Sequence, residues 1–338
     1  MFQIEEQYSL KSLNTFGLEV KADYFIRLQT TNEVKEFIKN PHFRHLPLLI
    51  LGSGSNMLFT DNFRGVVIKP CMQDIEIIAD DNESTEIRCG AGVEWDQLVN
   101  WAVSKNLGGL ENLSFIPGTV GASPIQNIGA YGVEVKNTLV SVEGYRLTDG
   151  SAFKLNNYDC EFGYRTSAFK SRVWEKALIT NVIFRLSKMP EFNTEYSSVL
   201  IETKKIGEIN LKNIRQAIIN IRLEKLPNPA KIGNAGSFFK NPVISTGKAL
   251  KIKETYPDAA LYKFQSNNYK VSAAFLIEKC GWKGFRDGDA GVHQKQPLVL
   301  VNYGKAKGMQ IFDLARKIQE SVLKTFEIEL EFEVNIIA

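Results

Sequence analysis

Four glycines, with polar residues among them, in one short and largely apolar stretch could hold the polar and aromatic parts of a single ligand. The stretch covers residues 113–132, and the residues are Gly118, Gly121, Gly129, Gly132, Ser123, Gln126 and Asn127. Glycine lets the backbone approach a ligand closely and leaves N–H groups available to anionic or carbonyl oxygens. The interspersed Ile, Val and Phe side chains supply the apolar wall that a flat aromatic ligand requires. The alternative is a series of tight turns between strands.

A second glycine cluster has the composition of a phosphate-binding loop without the spacing of the common motifs. Gly52-Ser-Gly-Ser-Asn56 follows an apolar run, residues 46–51, that predicts a buried strand. A Rossmann fingerprint needs glycine where Met57 stands, and a P-loop needs Gly-Lys-Ser/Thr, which is absent. Because a second strand-like run follows at residues 66–69, the cluster is predicted to join two strands and to offer its amides to a pyrophosphate.

The elements that must position these loops are predicted from hydrophobic periodicity. Strands are predicted at residues 22–28, 46–51, 66–69, 87–93, 140–147, 153–155, 298–301 and 328–334, and helices at residues 31–39, 95–105, 211–225 and 308–325. Thr148-Asp-Gly150 predicts a hairpin between its two flanking strands. Pro227-Asn-Pro229 ends the third helix and marks a domain boundary.

The composition favours a soluble enzyme of the cytoplasm. At 338 residues the chain is long enough for two or three domains. A net charge of +3 without a clustered basic stripe argues against a nucleic-acid surface. Four cysteines without CxxC spacing favour free thiols over disulfides or zinc, and no metal site is predicted. The N-terminus lacks the features of a signal peptide, and no apolar run approaches the roughly twenty residues of a membrane span.

Seven motifs in a fixed order resemble those of one enzyme family. They are Asn14-Thr-Phe-Gly17, Gly52-Ser-Gly-Ser-Asn56, Ile116-Pro-Gly-Thr-Val-Gly121, Gln126-Asn-Ile-Gly-Ala-Tyr-Gly132, Tyr164-Arg-Thr-Ser167, Gly233-Asn-Ala-Gly-Ser-Phe-Phe239 and Leu330-Glu-Phe-Glu-Val334. The glycine motifs look like the FAD-binding domain of the vanillyl-alcohol-oxidase type. The full set resembles the UDP-N-acetylenolpyruvoylglucosamine reductases, flavoenzymes of peptidoglycan precursor synthesis, from about residue 14 to the C-terminus.

The resemblance implies an α+β fold, with a two-part FAD-binding domain of the vanillyl-alcohol-oxidase type and a C-terminal α+β substrate-binding domain. The corresponding ranges are residues 1–69 for the first FAD-binding subdomain, 70–226 for the second and 227–327 for the substrate-binding domain, with residues 328–338 returning to the first subdomain. The implied reaction is the NADPH-dependent reduction of UDP-N-acetylglucosamine enolpyruvate to UDP-N-acetylmuramate. A monomer is expected.

The resemblance also assigns binding positions. FAD is expected to bind without a covalent bond, because no histidine stands in the flavin motifs, where relatives attach it. The FAD-binding positions are Gly52, Ser53, Gly54, Ser55, Asn56, Pro117, Gly118, Thr119, Gly121, Ala122, Ser123, Ile125, Asn127 and Gly132. The substrate-binding positions are Tyr196, Lys225, Asn241, Tyr262, Lys270 and Gln296. Tyr196 matches a mobile tyrosine that closes over the UDP part in one subtype, although its neighbours differ from the Tyr-Gly-Asp run of that subtype.

Three residues match the catalytic positions of the family. The guanidinium of Arg165 can hold a carboxylate through two parallel hydrogen bonds and stabilise an enolate; the alternative is an ordinary surface ion pair. Ser237 matches the proton donor; the alternative is a turn serine that caps local backbone. Glu333 is one of four glutamates on the wet face of a predicted strand. Only the resemblance selects it, as the carboxylate that orients or polarises the proton-delivery system.

Two other functions could use the same features. One is an oxidase or dehydrogenase that uses the same FAD domain on another alcohol. The other is a nucleotide-sugar-binding protein without catalysis. An oxidase needs a base, whereas Ser237 offers a weak proton donor. A binding protein has no need for all three catalytic residues.

Overall fold

The computed structural model of the protein describes residues 2–264 and 267–338. Its strands are β1 (Ile4–Ser9), β2 (Lys21–Leu28), β3 (Leu48–Ile50), β4 (Met57–Phe59), β5 (Phe63–Pro70), β6 (Ile75–Asp80), β7 (Ser84–Gly90), β8 (Gly129–Ala130), β9 (Val133–Glu134), β10 (Leu139–Arg146), β11 (Ala152–Asn156), β12 (Ala177–Ser187), β13 (Gly233–Ser237), β14 (Val243–Ser245), β15 (Leu261–Phe264), β16 (Asn268–Val271), β17 (Arg286–Asp287), β18 (Ala290–Val292), β19 (Val299–Asn302) and β20 (Asn335–Ile337). Its α-helices are α1 (Thr31–Lys39), α2 (Trp95–Ser104), α3 (Ser197–Ile206), α4 (Leu211–Lys225), α5 (Thr246–Thr255), α6 (Ala273–Lys279) and α7 (Gly308–Phe326).

The four predicted helices form within one residue of the expected bounds. Helix α1 begins where it was predicted because the Thr30 hydroxyl accepts a hydrogen bond from the Glu33 amide at 3.2 Å, which satisfies one of the N–H groups left unpaired at a helix start. Helix α7 ends at Glu327, which takes the left-handed conformation with φ 53°. The mixture of separate sheets and helices confirms the α+β class.

Contacts between residues divide the chain into two compact units. The first contains Met1–Tyr8, Lys21–Ser53 and Phe63–Glu224. It holds a four-stranded sheet in the order β1-β2-β5-β3, in which β2 and β3 run parallel to β5. It also holds an antiparallel five-stranded sheet in the order β11-β10-β12-β7-β6, and the β10–β11 pairing confirms the predicted hairpin.

Helix α2 covers the core of the five-stranded sheet. Its apolar face buries Trp95, Leu98, Val99 and Ala102 completely, as the helical spacing predicts. The Trp95 ring meets Phe184 of β12 edge-on at 6.0 Å. Full burial of a side chain of this size stabilises the fold by about 2–3 kcal/mol. The turn between β7 and α2 is thereby fixed in place, and the candidate site is built on that turn.

The second unit contains Ser9–Val20, Gly54–Asn62 and Lys225–Ala338. Its sheets have the orders β13-β19-β18-β17 and β14-β16-β15, and β20 pairs in parallel with β4. Helix α7 contacts β18 and β19. Phe238 lies at the centre of an aromatic cluster, with ring centroids 6.4 Å from Phe16, 5.4 Å from Phe239 and 5.6 Å from Phe332.

Two features differ from the pattern in the sequence. The predicted strand at residues 328–334 is wrong as a regular strand: within it only Phe332 forms a bridge, with Phe239, and the strand that follows is β20. Ile328, Leu330 and Val334 are nevertheless buried, as the alternation predicts, whereas Phe332 and Glu333 are both partly buried. The compact units also cut across the predicted range 1–69, because residues 9–20 and 54–62 group with the C-terminal part. The three-part functional division stays a prediction.

None of the helices within residues 2–264 and 267–338 is long and apolar enough to cross a membrane.

Candidate active site

In the first unit, the loop at residues 117–123 is fastened to the turn between β7 and α2. The Val120 amide donates to the Val93 carbonyl at 2.8 Å, and the Gly121 amide donates to the Ala91 carbonyl at 2.9 Å. A Cβ atom on Gly121 would lie 2.6 Å from the Ala91 Cβ, closer than side chains can pack. Gly121 is therefore required for the contact between the two loops, a packing role that differs from the close approach to a ligand predicted for these glycines.

Gly52 of the second glycine cluster lies against the same loop. An ideal Cβ on Gly52 would stand 2.9 Å from the Thr119 hydroxyl oxygen and 3.5 Å from the Ala122 Cβ. The structure therefore brings together predicted FAD-binding residues that are more than sixty positions apart in the chain. Glycine at position 52 allows this close contact, and two adjacent glycine-containing loops suit a phosphate or ribityl group.

The polar side chains farther along the first motif bond to the protein itself. The Asn127 amide nitrogen donates to Glu134 Oε2 at 2.9 Å and to the Gly163 carbonyl at 3.0 Å, and its oxygen accepts from the Lys136 amide at 3.2 Å. The Ser123 hydroxyl donates to the Val120 carbonyl at 2.8 Å. These side chains shape the loop, which leaves the backbone as the part that can contact a cofactor. Ile125 and Gly132 line the same stretch, and the Ile125 carbonyl accepts from Ser167 Oγ at 2.7 Å.

Arg165 is held against the last glycine motif. Its Nη2 donates to the Gly129 carbonyl at 2.9 Å, and its guanidinium lies 5.6 Å from the centre of the Tyr164 ring. Its backbone is in the left-handed region with φ 54°, which costs a non-glycine residue roughly 1–3 kcal/mol. Strain of this kind persists only where the surroundings enforce it, and it concentrates at functional sites. The half-buried Arg165 is therefore positioned by its neighbours rather than left on an open surface.

A second arginine, Arg222 of α4, lies near Arg165 and was not predicted. Its Nε donates to the Phe115 carbonyl at 3.1 Å. Burial holds the pKa of the Arg222 guanidinium below its usual value, and Arg165 acts in the same direction. The Tyr131 hydroxyl hydrogen-bonds Arg222, and the Tyr131 ring meets Tyr196 edge-on at 6.0 Å. The predicted substrate residue Tyr196, 48% exposed, thus stands beside a positively charged cluster that an anion would neutralise.

In the second unit, the remainder of the glycine cluster packs on the Asn14–Gly17 motif. Gly54 has φ +64°, and a Cβ on it would lie 2.0 Å from the Leu13 carbonyl oxygen. The Gly54 carbonyl accepts hydrogen bonds from the Thr15 amide at 3.2 Å and the Thr15 hydroxyl at 3.3 Å. Only glycine fits position 54, for reasons of both conformation and space.

Asn56 connects this cluster to the C-terminal segment. Its Nδ2 donates to the Glu333 carbonyl at 3.1 Å, and its own carbonyl accepts from the backbone amide and the side chain of Asn335, each at 3.0 Å. Directly beyond this point, β4 and β20 begin to pair. The predicted FAD-binding residues Ser53 and Ser55 flank Gly54 in the chain.

Ser237 and Glu333 lie on neighbouring chain segments. Ser237 ends β13, and the carbonyl of the next residue, Phe238, accepts a hydrogen bond from the Glu333 amide at 2.8 Å. The Lys240 amide donates to the Glu331 carbonyl at 2.9 Å, which continues the pairing. Of the four alternating glutamates, only Glu333 is partly buried, whereas the other three are exposed. The structure therefore distinguishes Glu333 physically, which the sequence pattern could not do.

Three of the predicted substrate residues meet on the small sheet β14-β16-β15. Tyr262 of β15 pairs with Lys270 of the adjacent strand β16, and the Lys270 ammonium lies 4.0 Å from the centre of the Phe264 ring. Asn241 precedes β14, and its side-chain oxygen accepts from the amide of Ala273 at the start of α6 at 2.9 Å. Tyr262 is 54% exposed, and Lys225 at the end of α4 is exposed as well.

Gln296 lies in the turn before β19. Its amide donates to His293 Nδ1 at 3.2 Å, and its carbonyl accepts from the Val299 amide at 3.0 Å. Burial lowers the pKa of His293, which favours the neutral imidazole that accepts this bond. The bond fits the structural role that a lone histidine usually has.

Arg222 is the residue that sequence reasoning missed. It lies beside the apolar face of α4, formed by Ile214, Ile218 and Ile221, and nothing in the sequence separates it from Arg215, two turns earlier on the same side of the helix. Arg215 is a structural residue, because it forms a two-bond ion pair with Asp96 at 2.6 and 2.8 Å. Only the proximity of Tyr131 and Arg165 identifies Arg222 as a candidate.

Comparisons with known proteins agree with this arrangement. A model of the C-terminal domain of UDP-N-acetylenolpyruvoylglucosamine reductase matches residues 228–337, and an FAD-binding-domain model matches residues 22–156. The UDP-N-acetylenolpyruvoylglucosamine reductase of Flavobacterium johnsoniae is 43% identical over 338 residues, covering 99% of this chain and 100% of the relative. That of Amoebophilus asiaticus is 44% identical over 336 residues, covering 99% of each.

A solved structure gives the same result. The crystal structure of the UDP-N-acetylenolpyruvylglucosamine reductase from Thermus caldophilus is 25% identical, covers 100% of both chains and superposes with a TM-score of 0.72. The resemblance in the motifs is thereby confirmed along the whole chain. The chain belongs to the UDP-N-acetylenolpyruvoylglucosamine reductase family of FAD-containing oxidoreductases.

Proposed function

We propose that the protein reduces the enolpyruvyl group of UDP-N-acetylglucosamine enolpyruvate with NADPH and forms UDP-N-acetylmuramate for peptidoglycan precursor synthesis. Full-length identity of 42–44% to reductases of this name carries the proposal. The presence of Arg165, Ser237 and Glu333 at the matching motif positions supports it.

The residues present fit a non-covalent FAD. Gly52 lies against Thr119 and Ala122, so predicted FAD-binding residues of the two loops are adjacent, and this close contact requires glycine. No histidine stands in these motifs to form a covalent bond. A bound FAD would supply the hydride-transfer chemistry between NADPH and the vinyl carbon of the substrate.

Arg165 is proposed to bind the carboxylate of the enolpyruvyl group. The guanidinium is always charged and offers parallel donors that match a planar carboxylate. The same contact stabilises the negative charge that develops on that group as the double bond is reduced. The bond to the Gly129 carbonyl and the enforced backbone conformation support this role, because they fix the guanidinium before the substrate arrives. Arg222 is proposed to provide a second positive charge that attracts the same carboxylate, because it lies near Arg165.

Ser237 Oγ is proposed to donate the proton that completes the second carbon. A hydroxyl is a weak acid, but the carbanion-like centre is a much stronger base than an alkoxide. Glu333 is proposed to orient the Ser237 hydroxyl and the groups that return its proton. The hydrogen bond from the Glu333 amide to the Phe238 carbonyl supports the pairing, because it holds the two segments side by side.

The six substrate-binding positions are proposed to recognise the nucleotide part. Lys225 and Lys270 are assigned to the sugar or phosphate oxygens, and Tyr262, Asn241 and Gln296 to further contacts. Tyr196, which is half exposed and packed on Tyr131, is proposed to close over the UDP part. A monomer in the cytoplasm is proposed.

Parallel recordings of NADPH oxidation and oxygen consumption test this function against an oxidase. The proposal expects NADPH oxidation that depends on the enolpyruvyl substrate and continues when oxygen is removed. Oxygen uptake that matches NADPH loss without substrate would support the oxidase. Substrate binding without turnover by a flavin-free protein would support the non-catalytic alternative.

A further inference from the structure

Lys69 lies outside the seven motifs that carry the resemblance, yet it contacts the second glycine cluster. It is the half-buried residue between Ile68 and Pro70 at the end of β5. Its ammonium donates a hydrogen bond to the Gly52 carbonyl oxygen at 3.0 Å. Gly52 opens the cluster, so a cation from a neighbouring strand reaches the start of a predicted pyrophosphate loop.

Gly52 also marks where the two glycine loops meet in the first unit. The Thr119 hydroxyl and the Ala122 methyl lie next to it, at 2.9 and 3.5 Å from an ideal Cβ position. The Lys69 ammonium, one hydrogen bond away from Gly52, is therefore near both loops. A dinucleotide cofactor in these loops brings two phosphate charges to the same region.

The charge of Lys69 is not balanced by a nearby carboxylate. Within residues 2–264 and 267–338, no Asp or Glu oxygen lies within 4 Å of its ammonium. Glu94, at the start of α2, is the carboxyl group that interacts electrostatically with Lys69. Burial raises the pKa of Glu94, and Lys69 only partly opposes that effect. An ammonium has three donors, and the Gly52 carbonyl uses one of them. A partly desolvated cation of this kind is stabilised by an anionic partner.

We propose that Lys69 is a further FAD-binding residue, which holds the Gly52 carbonyl and pairs with the pyrophosphate of FAD. The proposal rests on the binding of FAD by the family. The Gly52 bond alone requires only a donor, which glutamine also supplies. The pyrophosphate requires a positive charge. Lys69→Gln and Lys69→Arg therefore separate the two roles.

The test is equilibrium dialysis of the full-length protein against FAD at about 50 mM and about 500 mM KCl, where screening differs strongly. Lys69→Gln is expected to weaken FAD binding roughly ten- to a hundredfold at low salt, as for a lost charge-assisted hydrogen bond. The loss should shrink at high salt. Lys69→Arg should stay close to wild type.

Lys39→Gln, which removes an exposed charge from α1 in the same unit, is the matched control and should bind FAD normally. Riboflavin, which has no phosphate, should bind equally to Lys69→Gln and to wild type.

Wild-type FAD affinity for Lys69→Gln would overturn the proposal. Equal weakening of riboflavin and FAD would also overturn it, because Lys69 would then only shape the loop. If Lys69→Gln does not fold, as judged by its melting transition, the wild-type protein decides: FAD affinity that does not change with KCl rules out the pairing. A folded wild-type protein that binds no FAD would instead contradict the cofactor assignment itself.

Discussion

The side-chain amide of Asn56 donates a hydrogen bond to the main-chain carbonyl of Glu333 at 3.1 Å, across 277 residues of sequence. Asn56 belongs to the glycine cluster assigned to FAD, and Glu333 is assigned to proton delivery. The Glu333 amide is fixed at the same time by the Phe238 carbonyl, next to Ser237. The backbone amide of Glu333 is therefore bonded to Phe238, and the backbone carbonyl of Glu333 is bonded to Asn56. The carboxylate is presented from a rigid backbone although no regular strand contains it.

Asn56→Ala should lower kcat more than Asn335→Ala does. Both variants remove a side-chain hydrogen bond from the junction between the Asn56 loop and the C-terminal segment at residues 333–335. Only Asn56→Ala releases the Glu333 carbonyl. A lost neutral hydrogen bond costs about 1 kcal/mol in stability, so both proteins should fold. Steady-state kinetics with flavin content per chain check the result. Equal loss of kcat in the two variants would mean that the junction supports the fold and not Glu333 in particular.

Ser237→Ala should leave reduction of the flavin by NADPH nearly intact and slow its reoxidation by the enolpyruvyl substrate. Hydride transfer to the flavin needs no proton from Ser237 Oγ, whereas completion of the substrate does. Loss of a general acid typically slows the assisted step by roughly a hundred- to ten-thousandfold. Stopped-flow absorbance of each half-reaction measures both rates. Equal slowing of the two halves would show that Ser237 builds the site rather than donating the proton.

Arg165→Lys should fail to restore function although the charge is kept. Lysine meets the same left-handed backbone requirement at φ 54°, so the comparison isolates the guanidinium. Because the contact is expected to strengthen in the transition state, kcat and kcat/KM should fall together. Arg172→Lys, an exposed arginine seven positions later, is the matched control and should be unaffected. A kcat near wild type for Arg165→Lys would leave Arg165 as a structural residue.

Gly121→Ala should destabilise the protein by about 1–3 kcal/mol, since overpacking forces backbone to move. The added methyl group would lie 2.6 Å from the Ala91 Cβ and 3.1 Å from its carbonyl oxygen. Gly247→Ala is the control, because nothing lies within 4 Å of its Cβ position in α5. It should leave the melting temperature unchanged or slightly raised. If Gly121→Ala melts like the control, the loop contact is looser than described.

Asp96 should contribute stability that is lost in acid. Burial alone would raise the pKa of its carboxyl, but hydrogen bonds from Arg215 and the Phe115 amide hold that pKa below its usual value. The stabilisation is present above the unfolded pKa of about 4 and lost as the pH falls through the lower folded value. Asp96→Asn should therefore cost roughly 1–3 kcal/mol at neutral pH and progressively less below about pH 4. Urea unfolding of both proteins at several pH values measures the difference between their free energies of unfolding. A difference that stays constant with pH would contradict a contribution from the Asp96 ion pair.

Local patterns in the sequence predicted the parts of the fold that local physics determines. The bounds predicted for α1 from periodicity, residues 31–39, are those observed, and the spacing of Trp95, Leu98 and Ala102 gives the buried face of α2. The hairpin at Thr148-Asp-Gly150 followed from turn residues alone. In each case the information lies within a few neighbouring residues.

Long-range pairings could not be predicted in this way. Local patterns in residues 57–59 do not indicate a parallel partner at residues 335–337, and only the resemblance led us to expect the C-terminal segment near residues 1–69. The contact of Gly54 with Leu13 likewise depends on the folded chain. The alternating glutamates near the C-terminus look equivalent until the structure buries part of Glu333 alone. Arg222 is likewise ordinary in sequence. The family motifs selected Arg165, Ser237 and Glu333, and their roles stay predictions until tested.

Anaerobic reoxidation of the NADPH-reduced enzyme by UDP-N-acetylglucosamine enolpyruvate tests the central claim most directly. The account predicts that one equivalent of this substrate restores the absorbance of oxidised flavin and yields UDP-N-acetylmuramate. A reduced flavin that persists in the presence of the substrate and reoxidises only when oxygen is admitted would contradict it.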